Sequence, residues 1–290
     1  MSVKTIKYIV IIICSLVTLG AILAFSIEHT FTPSDKKDKK YDCEITQKWR
    51  LPKILGEVSG IAWLSENEIA CVQDEDGIIF IYHLKADKII EQIPFAGSGD
   101  YEGIAIYNND AYVMRSDGVI YEILRFRESD KKISKLQTPF SAKNNMETLV
   151  LDAKNQHLIT APKDRDLEDD SFKGLYHIPL DTKKMNRQPT IRINMNDVAF
   201  KSYLKKKVYR TFSPSDVAIH PKTGQYYVLE GINPKLVILD KNGTILKVYE
   251  LDKKSFAQPE GITFSPDGTL YISTEGKGGD AAIFKVVLDK

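Results

Sequence analysis

The sequence predicts an all-β chain, a five-bladed β-propeller preceded by one N-terminal transmembrane helix. Three observations carry this. A short motif recurs five times. The segments between its copies alternate apolar runs with tight-turn dipeptides. One strand-like segment is left over ahead of the first copy, while the last copy runs out of chain one strand early. A six-bladed ring is the alternative, with a degenerate blade in the one long repeat.

Residues 8–27 (YIVIIICSLVTLGAILAFSI) are uncharged, and 20 residues suffice to cross a hydrocarbon core of about 30 Å. Lys4 and Lys7 precede them, which favours keeping residues 1–7 in the cytoplasm and exporting the remainder. A cleaved signal peptide is the competing reading. Cutting after Ala24 would place Ile22 at −3, where a small residue is expected. Ile13 likewise spoils Cys14 as a lipoprotein cysteine. The expectation is a signal anchor over 8–27, a polar linker over 28–42 containing TPSDKKDKKY, and a propeller over 43–290. The protein would then be a single-pass inner (cytoplasmic) membrane protein with the propeller on the periplasmic or extracytoplasmic side.

A formal charge of +1 gives no basic field of the kind that binds nucleic acid. The three cysteines, Cys14, Cys43 and Cys71, include no CxxC pair, which argues against a thiolate metal site. Cys43 and Cys71 could bridge only if the fold brought their Cα atoms within about 7 Å.

The repeated motif reads VSGIAW (58–63), YEGIAI (101–106), METLVL (146–151), SDVAI (215–219) and PEGITF (259–264). Aligned on Ser59, Glu102, Glu147, Asp216 and Glu260, the copies lie 43, 45, 69 and 44 residues apart. A period of about 44 is the length of one four-stranded blade. Runs such as EIACVQ, IIFIYHL, DAYVMRS, VIYEIL, QYYVLEG and KLVILD supply the strands, and Asp-Gly and Asn-Gly dipeptides the hairpins. The leftover segment CEITQKWRL (43–51) is expected to become the outer strand of the last blade, closing the ring and hiding its edges. The long repeat holds insertions, at 163–172 and 194–212, the second with room for a short helix.

The first strand of a propeller blade lines the central channel, so equivalent residues converge on the axis. That aligns Ser59 with the carboxylates of Glu102, Glu147, Asp216 and Glu260. Four acids at one level repel unless they are protonated or balanced by a cation. A hard oxygen donor set suits Ca²⁺, or Mg²⁺ with more water. Turns between the second and third strands bring Asp74, Arg115, Lys163, Glu230 and Glu275 to the same face, as candidates to hold a small anionic ligand or meet a protein partner. Glu230-Gly231 and Glu275-Gly276 read as matching positions. Asp76-Gly77 and Asp117-Gly118 read as turn formers. No GxSxG, HExxH or P-loop is present, and the five histidines avoid the repeated positions.

YEGIA (101–105), FSPSDVA (212–218) and QPEGITFSPDG (258–268) resemble the SdiA-regulated (YjiK/CarP-like) β-propeller family, over roughly residue 43 to the C-terminus. The resemblance implies an exported bacterial propeller, often with an N-terminal membrane segment, linked to calcium binding and calcium homeostasis. It implies that Glu102, Glu147, Asp216 and Glu260 are channel acids. The chain departs from the family at Ser59 and in the long third repeat. Three functions compete: a non-enzymatic, membrane-anchored calcium-binding propeller; a metal-dependent hydrolase of phosphoesters or lactones in which Arg115 and Lys163 would orient the anion; and a structural interaction module with an empty channel and a protein partner on one face.

Overall fold

A computed structural model describes residues 42–289. Within them the chain forms five four-stranded antiparallel sheets. Blade 1 is β2 (Val58–Ser65), β3 (Glu68–Gln73), β4 (Asp76–His83) and β5 (Lys88–Ser98). Blade 2 is β6 (Tyr101–Tyr107), β7 (Asp110–Arg115), β8 (Val119–Leu124) and β9 (Lys132–Gln137). Blade 3 is β10 (Val150–Asp152), β11 (His157–Thr160), β12 (Phe172–Pro179) and β13 (Ile191–Asn194). Blade 4 is β14 (Pro214–Ile219), β15 (Tyr226–Glu230), β16 (Lys235–Leu239) and β17 (Ile245–Glu250). Blade 5 is β18 (Pro259–Phe264), β19 (Leu270–Thr274), β20 (Ala282–Leu288) and β1 (Cys43–Arg50).

The leftover segment does close the ring: β1 pairs antiparallel with β20 from Cys43–Leu288 to Arg50–Ala282. The joint is sealed by packing as well. Trp49 lies tilted against Tyr271, ring centroids 6.1 Å apart, and donates its indole N–H to the Leu84 carbonyl of blade 1 at 2.9 Å. Five apolar cores follow from the alternation within each strand, one between each pair of neighbouring blades. Burial is nearly complete in them; Ile79, Phe80, Ile159, Val228 and Ile272 have no exposed surface.

The insertions do not make a sixth blade. The segment after Asn194 contains two 3-10 turns, Val198–Phe200 and Val208–Arg210, where a short helix was expected. Asp197 caps the first by accepting the Ala199 N–H at 2.8 Å, and Phe200 stacks on Phe212 at 5.3 Å to tie the loop down. Cys43 and Cys71 are both free, and they sit in different cores. The expected membrane segment over 8–27 lies outside the described residues. Among the described residues no helix is long and apolar enough to cross a membrane.

Candidate functional site

Each blade's innermost strand begins with a β-bulge, and the bulges define the site. Pairing jumps one residue between Val58 and Gly60, between Tyr101 and Gly103, between Pro214 and Asp216, and between Pro259 and Gly261. In blade 3 the bridge Met146–Pro162 and the pairing Val150–Ile159 bracket the same shift. The bulged residues are therefore Ser59, Glu102, Glu147, Ser215 and Glu260. A bulge re-aims the side chain of its extra residue.

This register differs by one residue from the alignment on charge. Ser215, not Asp216, is the counterpart of Glu260, and the copies lie 43, 45, 68 and 45 residues apart. Asp216 corresponds to Gly60, Gly103 and Gly261, the position that faces the next blade. Its carboxylate accepts the backbone N–H of Val217 at 2.8 Å and, across the blade gap, that of Ile262 at 2.9 Å. The Leu149 N–H of blade 3 adds to this hold, against the upward pull of burial on the carboxyl. Asp216 thus joins three blades. Ser59 and Ser215 do similar work from the bulge: their hydroxyls donate to the carbonyls of Tyr101 (2.6 Å) and Pro259 (2.9 Å) in the following blades.

Glu102, Glu147 and Glu260 remain as the acids of the ring, with Glu147 4% and Glu260 3% exposed. Burial drives their protonation upward, and neighbouring carboxyls add to it at Glu102 and Glu147. Glu102 is raised to about 10 by burial, with Glu147 and Asp100 adding to it. Glu147 rises well above the carboxylate range through burial and Glu260, opposed by Lys163. Glu260 is raised by burial, with Lys163 and Gln258 opposing.

Lys163 is the counter-ion of this ring. Its ammonium lies 2.5 Å from Glu147 Oε1 and 3.9 Å from Glu260 Oε1, with a side chain only 13% exposed. Burial works against its charge, but Glu260, Glu147 and Glu102 outweigh that and hold its pKa above the usual lysine value. Asn145 Nδ2 donates to the same Glu147 oxygen at 2.9 Å. Glu147 Oε2 and Glu260 Oε1 are fully buried and lack a hydrogen-bond partner. With every group ionised, three acids and one lysine leave a formal charge of −2.

The rim positions are likewise set by register. Gln73, Arg115, Glu230 and Thr274 pair with the residues just before the bulges, so Glu230 and Glu275 do not match. The level beyond them holds Asp74, Ser116, Lys163, Gly231 and Glu275. Glu275 is raised to about 7 by burial and Glu260, against Lys277, and Asp74 to about 6 by burial, Glu57 and Asp100. Asp74 Oδ1 is buried and unpartnered. Glu230 is fully buried and bound to the Lys235 ammonium and, at 3.2 Å, to Asn233. Arg115 forms a bidentate pair with Asp117 at 2.9 and 2.6 Å and also reaches Tyr121 OH. Gly231 stands over the ring, where an added Cβ would lie 2.7 Å from Glu260 Oε1. Asp76 and Asp117 act as turn formers; Gly118, at φ +86°, permits the second turn.

The polar neighbours of the ring, two amides and a carboxyl, are absent from the sequence-based candidates, though their signal is visible. A polar residue stands two positions before each ring acid: Asp100, Asn145 and Gln258. Among the described residues no group of three or more His, Cys, Asp or Glu is arranged so that it could hold a metal ion as it stands.

Comparison with known proteins gives the following. A family model described as SdiA-regulated matches residues 35–277. No curated protein matches the chain. Among solved structures, the chain is similar to the glutaminyl cyclase of Myxococcus xanthus, with 12% identity, TM-score 0.57 and coverage of 85% of this chain and 96% of that one. It is also similar to the PQQ-bound aldose sugar dehydrogenase of Streptomyces coelicolor, with 14% identity, TM-score 0.52 and coverage of 85% and 98%. At these identities the likeness concerns the fold alone.

Proposed function

The chain belongs to the SdiA-regulated family, and from that premise we propose that it is a membrane-anchored, extracytoplasmic propeller whose channel mouth binds Ca²⁺ without catalysing a reaction. One observation carries the reading: two ring acids, each more than nine-tenths buried, keep an oxygen with no hydrogen-bond partner, Glu147 Oε2 and Glu260 Oε1. An unpartnered buried carboxylate oxygen is costly and calls for a proton or a cation. The donor set is all hard oxygen, the chemistry Ca²⁺ prefers. Glu102, Glu147 and Glu260 would hold the ion, with Glu275 and Asp74 beside it on the rim. Asp216 would hold the blades together, since its oxygens already accept backbone N–H groups.

Metal-assisted hydrolysis has one observation in its favour. Glu275, raised to about 7, is matched to general-base work near neutral pH. Against it, the two cations expected to orient an anion are engaged, Arg115 with Asp117 and Lys163 with the ring. Calorimetric titration of the purified protein with Ca²⁺ tests the proposal. Saturable binding that disappears in Glu147→Gln/Glu260→Gln supports it, and absence of heat in the wild type sinks it. Turnover in a panel of phosphoesters and lactones with Ca²⁺ present would favour the hydrolase.

A further inference from the structure

Lys163 is held in the ring by an arrangement more elaborate than an ion pair requires. Its backbone is fixed from three sides. The Lys163 and Asp164 N–H groups donate to the carbonyls of Asn145 and Asn144, each at 3.0 Å. Asn144 Nδ2 donates to the Arg165 carbonyl at 2.9 Å. A second lysine, Lys173 at the start of β12, has no exposed surface and donates its ammonium to the carbonyls of Lys163 (2.7 Å) and Asp164. Burying an ammonium is expensive unless its donors are used. Here they are used on the turn that delivers Lys163. The long loop of residues 163–171 begins at that turn, and Lys173 adds to the backbone bonds that fix where the Lys163 stem starts.

Only the stem and ammonium of Lys163 are free to move, and they occupy the cation position of the ring. From this we propose that Lys163 is a tethered competitor for the channel cation, and that Lys173 is the positioning residue that keeps it in place. The inference rests on the cation-binding reading of the ring. An entering divalent ion must displace the ammonium from Glu147 Oε1, and Glu260 must turn toward the newcomer. The lysine therefore weakens cation binding and raises the charge an ion needs to win. A monovalent ion only exchanges one positive charge for another, whereas a divalent ion lowers the residual charge of the ring further. Lys163 thus serves as a specificity determinant, and the same residue offsets one negative charge of the ring when no ion is bound.

Calorimetry with Ca²⁺ on the full-length chain, alongside thermal unfolding with and without Ca²⁺, tests this in wild type, Lys163→Met, Lys163→Arg and Lys173→Met. Methionine keeps the apolar stem and removes the charge. The expected result is that Lys163→Met binds Ca²⁺ at least 10-fold more tightly and gains a larger Ca²⁺-induced rise in Tm. Lys163→Arg should stay near wild type, and Lys173→Met should fall between the two. A purely structural role predicts the opposite sign, because a loosened site binds more weakly. Equal or weaker Ca²⁺ binding by Lys163→Met, with wild type binding normally, overturns the inference and leaves the calcium reading standing. Binding by Lys163→Met alone overturns the calcium reading of the wild-type protein, and with it the inference that rests on that reading. Binding by neither protein overturns both. Should Lys163→Met fold poorly, Lys163→Gln carries the same prediction, judged by the same affinities.

Discussion

Replacing Asp216 with Ala removes a carboxylate that holds backbone N–H groups of three blades, those of Leu149, Val217 and Ile262. Val217 N–H at 2.8 Å and Ile262 N–H at 2.9 Å lose their acceptor inside a fully buried gap. Each orphaned buried donor costs about 1–3 kcal/mol. Removing the buried carboxyl itself returns part of this, because its desolvation no longer opposes folding. The balance is a loss of about 2–4 kcal/mol, set against a total stability of about 5–15 kcal/mol. For a domain of this size that corresponds to a fall in Tm of about 5–15 °C. Asp216→Asn keeps one acceptor oxygen and turns an amide N–H toward a backbone N–H, so it should lie between wild type and Asp216→Ala. Urea denaturation followed through Trp49 and Trp63 measures the loss, and Ca²⁺ calorimetry on the same proteins measures the ring. The expected outcome is reduced stability with Ca²⁺ affinity within a few-fold of wild type under native conditions. If Asp216→Ala proved as stable as wild type yet lost Ca²⁺ binding, Asp216 would be a ligand and the one-residue register argument would be wrong.

Two further outcomes follow from the site. Glu102, Glu275 and Asp74 have folded pKa values raised to about 10, 7 and 6, so the native state binds more protons than the unfolded chain above about pH 4.5. Their contribution is fully present below that pH and is lost as pH rises through the raised values; Glu275 alone, discounted for its partial exposure, accounts for about 2 kcal/mol. Denaturation midpoints should fall from pH 5 to pH 9 without Ca²⁺ and flatten when Ca²⁺ saturates the ring, and a midpoint that climbs across this range would count against the raised values. Gly231→Ala should cost about 1–3 kcal/mol and weaken Ca²⁺ binding, because its methyl group would meet Glu260 Oε1 at 2.7 Å and the Pro259 carbonyl at 2.9 Å. Unchanged affinity in that variant would show that Glu260 has room to move.

The architecture was legible because it is periodic. A 44-residue repeat with Asp-Gly turns specifies blades, and an orphan strand ahead of the first motif specifies how they close. The register of the site was harder to read. PSDVAIHP (214–221) and PEGITFSP (259–266) align without a gap, proline on proline, which pairs Ser215 with Glu260 and Asp216 with Gly261. Alignment on charge slips that match by one; the ungapped match in turn pairs Glu230 with Glu275, but the β14–β15 hairpin is one residue longer than the β18–β19 hairpin, so Glu230 takes the place of Thr274. A bulge makes the slip consequential, because adjacent residues at a bulge face the channel and the next blade respectively. The place of Lys163 was half visible. Its turn was assigned to the mouth, but its reach into the ring depends on the clamp by Lys173, ten residues later on another strand. No local pattern announces a contact of that kind. The insertion over 194–212 has helical composition in its lysine-rich middle, yet it folds as two 3-10 turns because Phe200 and Phe212 must both turn inward to stack.

The central claim is that the carboxylate ring is a cation centre in which Lys163 holds the position when no ion does. A crystal structure of the protein grown with Ca²⁺, with anomalous data collected for calcium, tests it most directly. The account predicts an anomalous peak on the channel axis in contact with the carboxylates of Glu147 and Glu260, with the Lys163 ammonium displaced from Glu147 Oε1. A peak bound instead at Asp216, or an axis without calcium and with Lys163 still paired to Glu147 at saturating Ca²⁺, would contradict it.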